Sequence, residues 1–202
     1  MSKKITKKIN DFFTYRNNIL YVEDVSVIDI SKSINTPFYV YSSATLKRRY
    51  NQLAKSLKNI NHSLYFSVKS NSNLAVLRVL SLLGSGMDVV SGGEYLRAQK
   101  AGVPGDKIVF SGVGKTHDEI KLALINGIRQ FNVESIPEIM LINKIAATTG
   151  KKAPISIRVN PDVDAQTHEK IMTGKLENKF GIPINSALEV YRIASELNNI
   201  NI

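Results

Sequence analysis

Short apolar segments alternate with amphipathic stretches along this chain from Ser63 onward. Five segments have the length and composition of strands, and residues with helical periodicity follow each one. The predicted strands are Ser63–Val68, Met87–Val90, Lys107–Phe110, Arg129–Val133 and Ile155–Asn160. This alternation favours an α/β fold with a parallel sheet. Because no GxGxxG fingerprint supports an open doubly wound sheet, we expect an incomplete (β/α)8 barrel with about five of its eight strands present.

The ends of several elements are also predictable. Ser135 and Glu138 form a capping-box pattern at the start of a helix that Gly150 ends. Residues 37–42 (PFYVYS) have the composition of a further strand. The polar stretch 161–179 is long for a loop of an α/β unit, which makes it a functional candidate. The last helix is predicted over residues 185–197, with three side chains spaced for burial, namely Leu188, Tyr191 and Leu197.

The composition excludes several classes of protein. The chain has no cysteine, which excludes a disulfide framework, a zinc–thiolate site and a thiol nucleophile within it. No apolar run approaches the roughly 20 residues that cross a bilayer, and the basic N-terminus lacks the apolar core of a signal peptide. We therefore expect a cytoplasmic protein with no membrane partner. The histidines His62, His117 and His168 lack metal-ligand spacing, so no metal site is expected.

The charge of the chain could indicate a polyanionic partner. The net charge is +10, from 27 Lys and Arg against 17 Asp and Glu. These basic residues are spread along the chain, and no nucleic-acid recognition motif accompanies them. The run Gly114-Lys115-Thr116 resembles the end of a Walker A loop, but Val109 stands where that motif requires glycine. Neither a nucleic-acid partner nor a nucleotide-binding loop is expected.

Lys69 follows the apolar run 65–68, where the end of a core strand is ordinarily apolar. A lysine amine held out of water at such a position can act as a nucleophile that forms a Schiff base. The alternative is a lysine at a strand end that reaches solvent, and spacing alone favours this second interpretation.

Three further charged residues lie within or after predicted strands. Asp88 and Glu94 flank a glycine-rich turn, and two carboxylates beside a lysine would tune its protonation. Glu94 is equally consistent with a helix start, where the helix dipole favours an acidic residue. Arg158 follows the strand at 155–157, where a guanidinium can bind a carboxylate or form a structural ion pair. The spacing does not decide between these alternatives.

A series of segments gives the chain a resemblance to a known family. The run YFSVKSNSNLAVL, which begins at Tyr65, is similar to the cofactor-attachment segment of the alanine-racemase-like (fold-type III) amino-acid decarboxylases. One departure is Ser70, where that family usually has alanine. The supporting segments occur in the family's order and spacing, and they are TPFYVY (36–41), GMDVVSGGE (86–94), FSGVGKT (110–116), FNVES (131–135), RVNPDVD (158–164) and KFGI (179–182).

The resemblance implies that Lys69 is the catalytic residue that holds pyridoxal 5'-phosphate as a Schiff base. It implies that Asp88, Glu94 and Arg158 also bind this cofactor. The implied reaction is decarboxylation of a small amino acid, in which the cofactor takes up the electrons left by departing carbon dioxide. The implied assembly is a homodimer. The resemblance does not exclude the branches of the family that act on ornithine, arginine or carboxynorspermidine. Residues 163–174, however, favour a branch other than these three.

The resemblance also implies family segments that would follow Ile202. The family carries a histidine over the cofactor ring, a glycine-rich phosphate loop, a glutamate near the pyridine nitrogen and a C-terminal β-domain, all in segments that would follow Ile202. We therefore expect residues 1–36 to belong with that β-domain and residues 37–202 to form a partial cofactor-binding barrel. On this expectation the chain is an N-terminal portion that is inactive alone. A truncated, non-catalytic product is the alternative.

Overall fold

The structure is a computed structural model that describes residues 6–10 (backbone), 12–161, 163 and 180–202. The chain divides into two units, one formed by Met1–Leu64 with Arg78–Gly84 and the other by Tyr65–Leu77 with Ser85–Ile202. No helix in the described ranges is long and apolar enough to cross a membrane.

The first unit contains a four-stranded antiparallel sheet whose strands are neighbours in chain order. The turn between its second and third strands consists of Asn17 and Asn18, with φ angles of 51° and 64°. A two-residue turn with positive φ at both positions matches the twist of a hairpin, and asparagine tolerates that conformation. The strands are β1 (Thr6–Asn10), β2 (Phe13–Arg16), β3 (Ile19–Val22) and β4 (Val25–Ser26).

Two helices follow this sheet in the chain, α1 (Val27–Ser33) and α2 (Ser43–Ser56). The Ser42 hydroxyl caps α2 by accepting a hydrogen bond from the Thr45 N–H at 3.0 Å. The Glu23 carboxylate reinforces this start, since the Ala44 N–H donates to it at 3.0 Å and the Ser42 hydroxyl at 2.8 Å. The Ala44 N–H, followed by the Ser42 hydroxyl, lowers the pKa of Glu23.

The strand predicted at residues 37–42 is wrong, because the structure describes these residues and they form no strand. Their aromatic and β-branched composition favours extended backbone, but a strand also requires a neighbour for its backbone groups. Pro37 has no N–H to donate, and the Tyr39 side chain is 92% exposed.

The second unit is built on a six-stranded parallel sheet in the order β12-β9-β8-β7-β6-β5. Each strand therefore lies beside the preceding strand of this sheet, and the order never reverses. A doubly wound sheet reverses at its switch point, whereas a barrel wall does not, so the expected partial barrel is confirmed. The strands are β5 (Tyr65–Ser67), β6 (Gly86–Val89), β7 (Ile108–Phe110), β8 (Gln130–Val133), β9 (Ala153–Ile157) and β12 (Ile200–Asn201), with a separate parallel pair formed by β10 (Val159–Asn160) and β11 (Ile182–Pro183).

Helices connect these strands and cover the apolar core. They are α3 (Leu74–Leu82), which begins in this unit, α4 (Gly92–Lys100), α5 (His117–Ile125), α6 (Ile136–Thr149) and α7 (Ala187–Ser195). The core centres on the wholly buried Phe110 and Phe131, whose rings stack with centroids 6.2 Å apart. Helix side chains close over it, among them Tyr95, Ile120, Ile139 and Ile142, all wholly buried.

The predicted ends of α6 are confirmed, but the predicted buried face of α7 is wrong. The Ser135 hydroxyl accepts from the Glu138 N–H, and Gly150 ends α6 with a φ of 64°. In α7 the Leu188 side chain is 85% exposed. Burial at steps of three and four residues falls instead on the small and β-branched side chains of Ala187, Val190 and Ala194.

Candidate active site

Polar side chains gather where the parallel strands of the second unit end. Lys69 follows β5, Asp88 lies in the last half of β6, Ser111 follows β7, Glu134 follows β8 and Arg158 follows β9. Because these strands are parallel neighbours, their carboxyl ends form one edge of the sheet. Catalytic residues of β/α barrels lie at this edge.

Lys69 lies in the 3-10 turn Val68–Ser70 directly after β5. Val68 anchors this turn, since its side chain is wholly buried, and the Ser70 hydroxyl donates to the Ser67 carbonyl at 2.7 Å. Lys69 itself is exposed. Its ammonium makes no hydrogen bond or ion pair with any residue that the structure describes. The structure thus places it as a strand-end lysine that reaches solvent, with its amine accessible.

The Asp88 carboxylate accepts from both sides in a row of hydrogen bonds that extends over the ends of four neighbouring strands. The Ser111 hydroxyl donates to Asp88 Oδ1 at 2.5 Å, and the Ser67 hydroxyl makes a longer contact of 3.4 Å with Oδ2. The Asn132 amide donates to the Ser111 oxygen at 2.8 Å. The Gln130 amide in turn donates to Asn132 Oδ1 at 2.7 Å. We call these five residues the polar row.

Glu94 takes the role of a helix-start carboxylate. Ser91 caps α4, and its hydroxyl accepts from the Glu94 N–H at 3.2 Å. Glu94 Oε2 accepts from the Val90 N–H at 2.9 Å, which satisfies a backbone donor before the helix. The structure shows no hydrogen bond between Glu94 and Lys69 or Asp88 among its described residues.

Arg158 forms an ion pair with Glu134, which is the structural alternative that the sequence left open. Arg158 Nη1 lies 3.0 Å from Glu134 Oε1, and the two side chains are 41% and 3% exposed. Glu134 Oε2 accepts from the Gly181 N–H at 3.1 Å. The guanidinium also lies over the Phe180 ring, 5.4 Å from its centroid. Glu134 therefore joins the end of β8 to the Arg158 side chain before residues 161–179 and to the Gly181 backbone after them, and most of residues 161–179 lie outside the described residues.

A cavity of about 320 Å³ opens at the ends of β7, β8 and β9. Part of the polar row and the Arg158–Glu134 pair share its wall. The described residues that line it have polar side chains, namely Ser111, Asn132, Glu134, Ser156 and Arg158. The arrangement can bind a polar small molecule that has both donor and acceptor groups.

Two carboxylates on helices support the loops around the cavity. Glu119 in α5 accepts from the Gly92 N–H at 2.6 Å and from the Thr116 N–H at 2.9 Å. Burial raises the pKa of Glu119, but these N–H groups and the Thr116 hydroxyl outweigh burial and bring the pKa below its ordinary value. Glu138 in α6 pairs with the wholly buried Lys115 at 2.6 Å.

Sequence reasoning did not assign roles to Ser111, Asn132 or Lys115. A signal was present for Asn132, since polar Gln130, Asn132 and Glu134 alternate with buried Phe131 and Val133 along β8. That period of two places the polar residues on one face of the strand. Ser111 is a polar residue directly after a predicted strand, which indicates its place at the strand ends but not its partner. No such local pattern marks Lys115, whose partners lie on other elements.

Residues 43–202 match the model of a protein family described as "Pyridoxal-dependent decarboxylase, pyridoxal binding domain". Curated relatives include the diaminopimelate decarboxylase of Haemophilus influenzae, 52% identical over 192 residues, and that of Aquifex aeolicus, 43% identical over 199 residues. These alignments cover 95% and 98% of this chain. The chain spans about half the length of the curated relatives it matches, 46% and 47% respectively.

Solved structures give the same grouping. Diaminopimelate decarboxylase from M. jannaschii superposes with a TM-score of 0.87 at 37% identity, over 95% of this chain and 46% of that one. The Helicobacter pylori enzyme, solved with L-lysine, gives 0.82 at 43% identity over 87% and 44%. Lysine decarboxylase from Selenomonas ruminantium, at 24% identity and a TM-score of 0.70, shares the fold. Because the family model covers most of its length, this chain belongs to the pyridoxal-dependent decarboxylases, within the pyridoxal-binding domain of that family.

Proposed function

We propose that the protein decarboxylates meso-2,6-diaminopimelate to L-lysine with pyridoxal 5'-phosphate, and that this chain carries the lysine that holds the cofactor. The observation that supports it most is the exposed Lys69 amine, which has no partner among the described residues, at the sheet edge where the polar row ends. The family to which the chain belongs and the names of its relatives add to this support.

The residues present fit such a cofactor. Pyridoxal phosphate carries an aldehyde, which requires an accessible amine, and Lys69 offers one. It also carries polar ring substituents, which require donors and acceptors at one strand edge. The polar lining of the 320 Å³ cavity and the guanidinium of Arg158, 41% exposed, lie at that edge.

When bound, pyridoxal phosphate supplies an electron sink that accepts the electron pair left as carbon dioxide departs. Lys69 would hold the cofactor through Nζ. Asp88 would place a carboxylate beside the site, held on one side by Ser111. Arg158 would bind an anionic group with the donors that its pair with Glu134 leaves unused. Glu94 would act on the same site through the turn before α4, whose backbone it holds at Val90.

The reaction exchanges a carbon–carboxylate bond for a carbon–hydrogen bond, so the site must deliver one proton to carbon. Nζ of Lys69 is the group of the chain that we assign to this proton transfer, since it would lie beside the cofactor that it holds and has no other partner among the described residues. The polar row would hold the Asp88 carboxylate beside the cavity, because Ser111 donates to Asp88 and Asn132 donates to Ser111.

Measurement of carbon dioxide release from different amino acids distinguishes the proposed function from its alternatives. The protein should release carbon dioxide from meso-diaminopimelate faster than from ornithine, arginine or carboxynorspermidine. Lys69→Ala should abolish the release, whereas Lys100→Ala, at the exposed end of α4, should retain it. Preference for ornithine would favour a related decarboxylase, and retention of activity by Lys69→Ala would contradict the proposed role of this lysine. A protein that binds the cofactor but releases no carbon dioxide would favour a non-catalytic product.

We further propose that the protein is a cytoplasmic homodimer and that residues 1–36 belong with a β-domain. The family resemblance of the N-terminal segment supports these assignments. Light scattering coupled to size-exclusion chromatography would measure twice the mass of the protein for the dimer. A monomeric mass at micromolar concentration would contradict it.

A further inference from the structure

In every hydrogen bond of the polar row, the acceptor lies nearer to Asp88 along the row than the donor does. A hydroxyl has one proton to donate, and the Ser111 oxygen already accepts from Asn132, so its proton goes to the Asp88 carboxylate. The Asn132 amide is fixed in turn, because its oxygen accepts from Gln130. Each bond in such a chain polarises the next, and this chain ends on a carboxyl oxygen of Asp88.

This row controls where the Asp88 carboxylate lies. Its Oδ1 is engaged by Ser111 at 2.5 Å and its Oδ2 by Ser67 at the longer distance of 3.4 Å. Lys69 lies two residues beyond Ser67 on the neighbouring strand end, and Ser67 is the register partner of Asp88. Despite this proximity along the sheet, no ion pair joins Lys69 and Asp88 in the described part of the chain.

We propose that Ser111 and Asn132 are positioning residues that hold the Asp88 carboxylate toward β7, so that the Lys69 amine stays unpaired and available to an aldehyde. This inference rests on the proposed function for its purpose, but the restraint on Asp88 is a property of the chain alone. Both residues act on the Lys69 amine through Asp88. Neither is assigned a contact with the reacting nitrogen.

The condensation of an amine with an aldehyde explains why the position of the Asp88 carboxylate matters. When an amine condenses with an aldehyde, a carbon–nitrogen double bond forms and the aldehyde oxygen leaves as water, with both amine protons ending on that water. The step begins with the nitrogen lone pair. An ammonium held in an ion pair with a carboxylate has no lone pair, so a Lys69–Asp88 pair would slow the condensation.

Acylation of Lys69 in the cofactor-free protein tests the inference without any enzymatic readout. The protein is treated briefly with limiting acetic anhydride, and labelling at Lys69 is measured by peptide mass spectrometry relative to exposed Lys100 as an internal reference. Ser111→Ala should lower this ratio about tenfold, the order expected when one hydrogen bond to a charged group is lost. Ser111→Thr keeps the hydroxyl and should restore the ratio.

Two further variants separate the polar row from the general polarity of the cavity. Asn132→Ala removes the donor to Ser111 and should lower the ratio in the same direction by a smaller factor. Ser156→Ala removes a hydroxyl from the same cavity wall but outside the row, and its effect should be well below that of Ser111→Ala. Thermal melting of each variant checks that it is folded, and Asn132→Ala supplies the test if Ser111→Ala does not fold.

Equal labelling ratios for Ser111→Ala, Asn132→Ala and the unaltered protein would overturn the inference, as would equal effects of Ser111→Ala and Ser156→Ala. The rate at which Lys69 takes up pyridoxal phosphate is then measured on the same samples. If the labelling pattern holds but the unaltered protein takes up no cofactor at Lys69, the positioning role stands and the proposed function fails. If uptake occurs but the labelling ratios are equal, the proposed function stands and the positioning role fails.

Discussion

Nζ of Lys115 lies 2.6 Å from Oε1 of Glu138, and the lysine side chain is wholly buried. The same ammonium donates to the carbonyls of Gly112 at 2.6 Å and Asn132 at 2.8 Å, which uses all three of its protons. Glu138 Oε2 accepts from the Glu134 N–H at 2.9 Å. The pair therefore fastens the loop after β7 to the end of β8, where Asn132 and Glu134 line the cavity.

Lys115→Met should destabilise the protein by about 3–5 kcal/mol, because it leaves the Glu138 carboxylate and two carbonyls without their buried partner. Urea unfolding monitored by circular dichroism measures the loss. The double variant Lys115→Met with Glu138→Leu should recover part of it, since no buried charge is then left unpaired.

Lys100→Met provides the matched control, because Lys100 is exposed at the end of α4. Its effect should fall within about 0.5 kcal/mol. A Lys115→Met variant as stable as Lys100→Met would contradict the buried role of the pair.

Substitution by alanine should destabilise the protein at Gly105 but not at Gly114, two glycines on either side of β7. A Cβ at Gly105 would collide with the backbone carbonyl of Asn126, so Gly105→Ala should cost about 1–3 kcal/mol. A Cβ at Gly114 would meet nothing within 4 Å, so Gly114→Ala should change stability by no more than about 0.5 kcal/mol. Chemical denaturation of both variants measures the difference, and equal losses would show that the backbone at Gly105 is not as close-packed as described.

The Glu119 carboxylate predicts a specific acid dependence of stability. Its pKa is lowered in the folded state from the ordinary value of 4.5, because hydrogen bonds from Gly92 and Thr116 outweigh burial. A group with a lowered folded pKa contributes stability that is present above its unfolded pKa and is lost as pH falls through the folded pKa. The free-energy difference between the protein and Glu119→Gln should therefore be constant near neutral pH and shrink below 4.5.

Urea unfolding at a series of pH values tests this dependence. Glu196→Gln, an exposed position at the end of α7, supplies the background for loss of one carboxylate. A difference for Glu119→Gln that stays constant through acid pH would contradict the role of its hydrogen bonds.

The barrel-type fold could be predicted because most of its strands and helices are marked by a pattern in their own short segments of sequence. Five strands of the parallel sheet follow from short apolar runs separated by helical periodicity, and Ser135 and Gly150 mark the ends of α6 by their own chemistry. The sixth strand, β12, consists of two residues at the end of the chain, where no periodicity can develop. The buried face of α7 depends on which neighbouring elements cover it. Helical periodicity therefore predicted burial of Leu188, whereas the structure buries Val190.

The candidate site could be predicted in its location but not in its contacts. The positions of Lys69, Asp88 and Arg158 at strand ends follow from where each apolar run stops. The bond from Ser111 to Asp88 spans 23 residues of sequence and depends on the register of β6 against β7. Glu138 matches a capping box in sequence, but its carboxylate binds the Glu134 N–H and Lys115, because the fold brings a buried cation to it.

Reduction of the protein with borohydride in the presence of pyridoxal phosphate, followed by peptide mass spectrometry, tests the proposed role of Lys69 most directly. Borohydride fixes a lysine–cofactor link permanently, so the modified lysine can be identified. We predict a stoichiometric pyridoxyl group on Lys69 and none at this position after Lys69→Arg. Modification spread over exposed lysines such as Lys100 and Lys144, with no preference for Lys69, would contradict the proposed cofactor site.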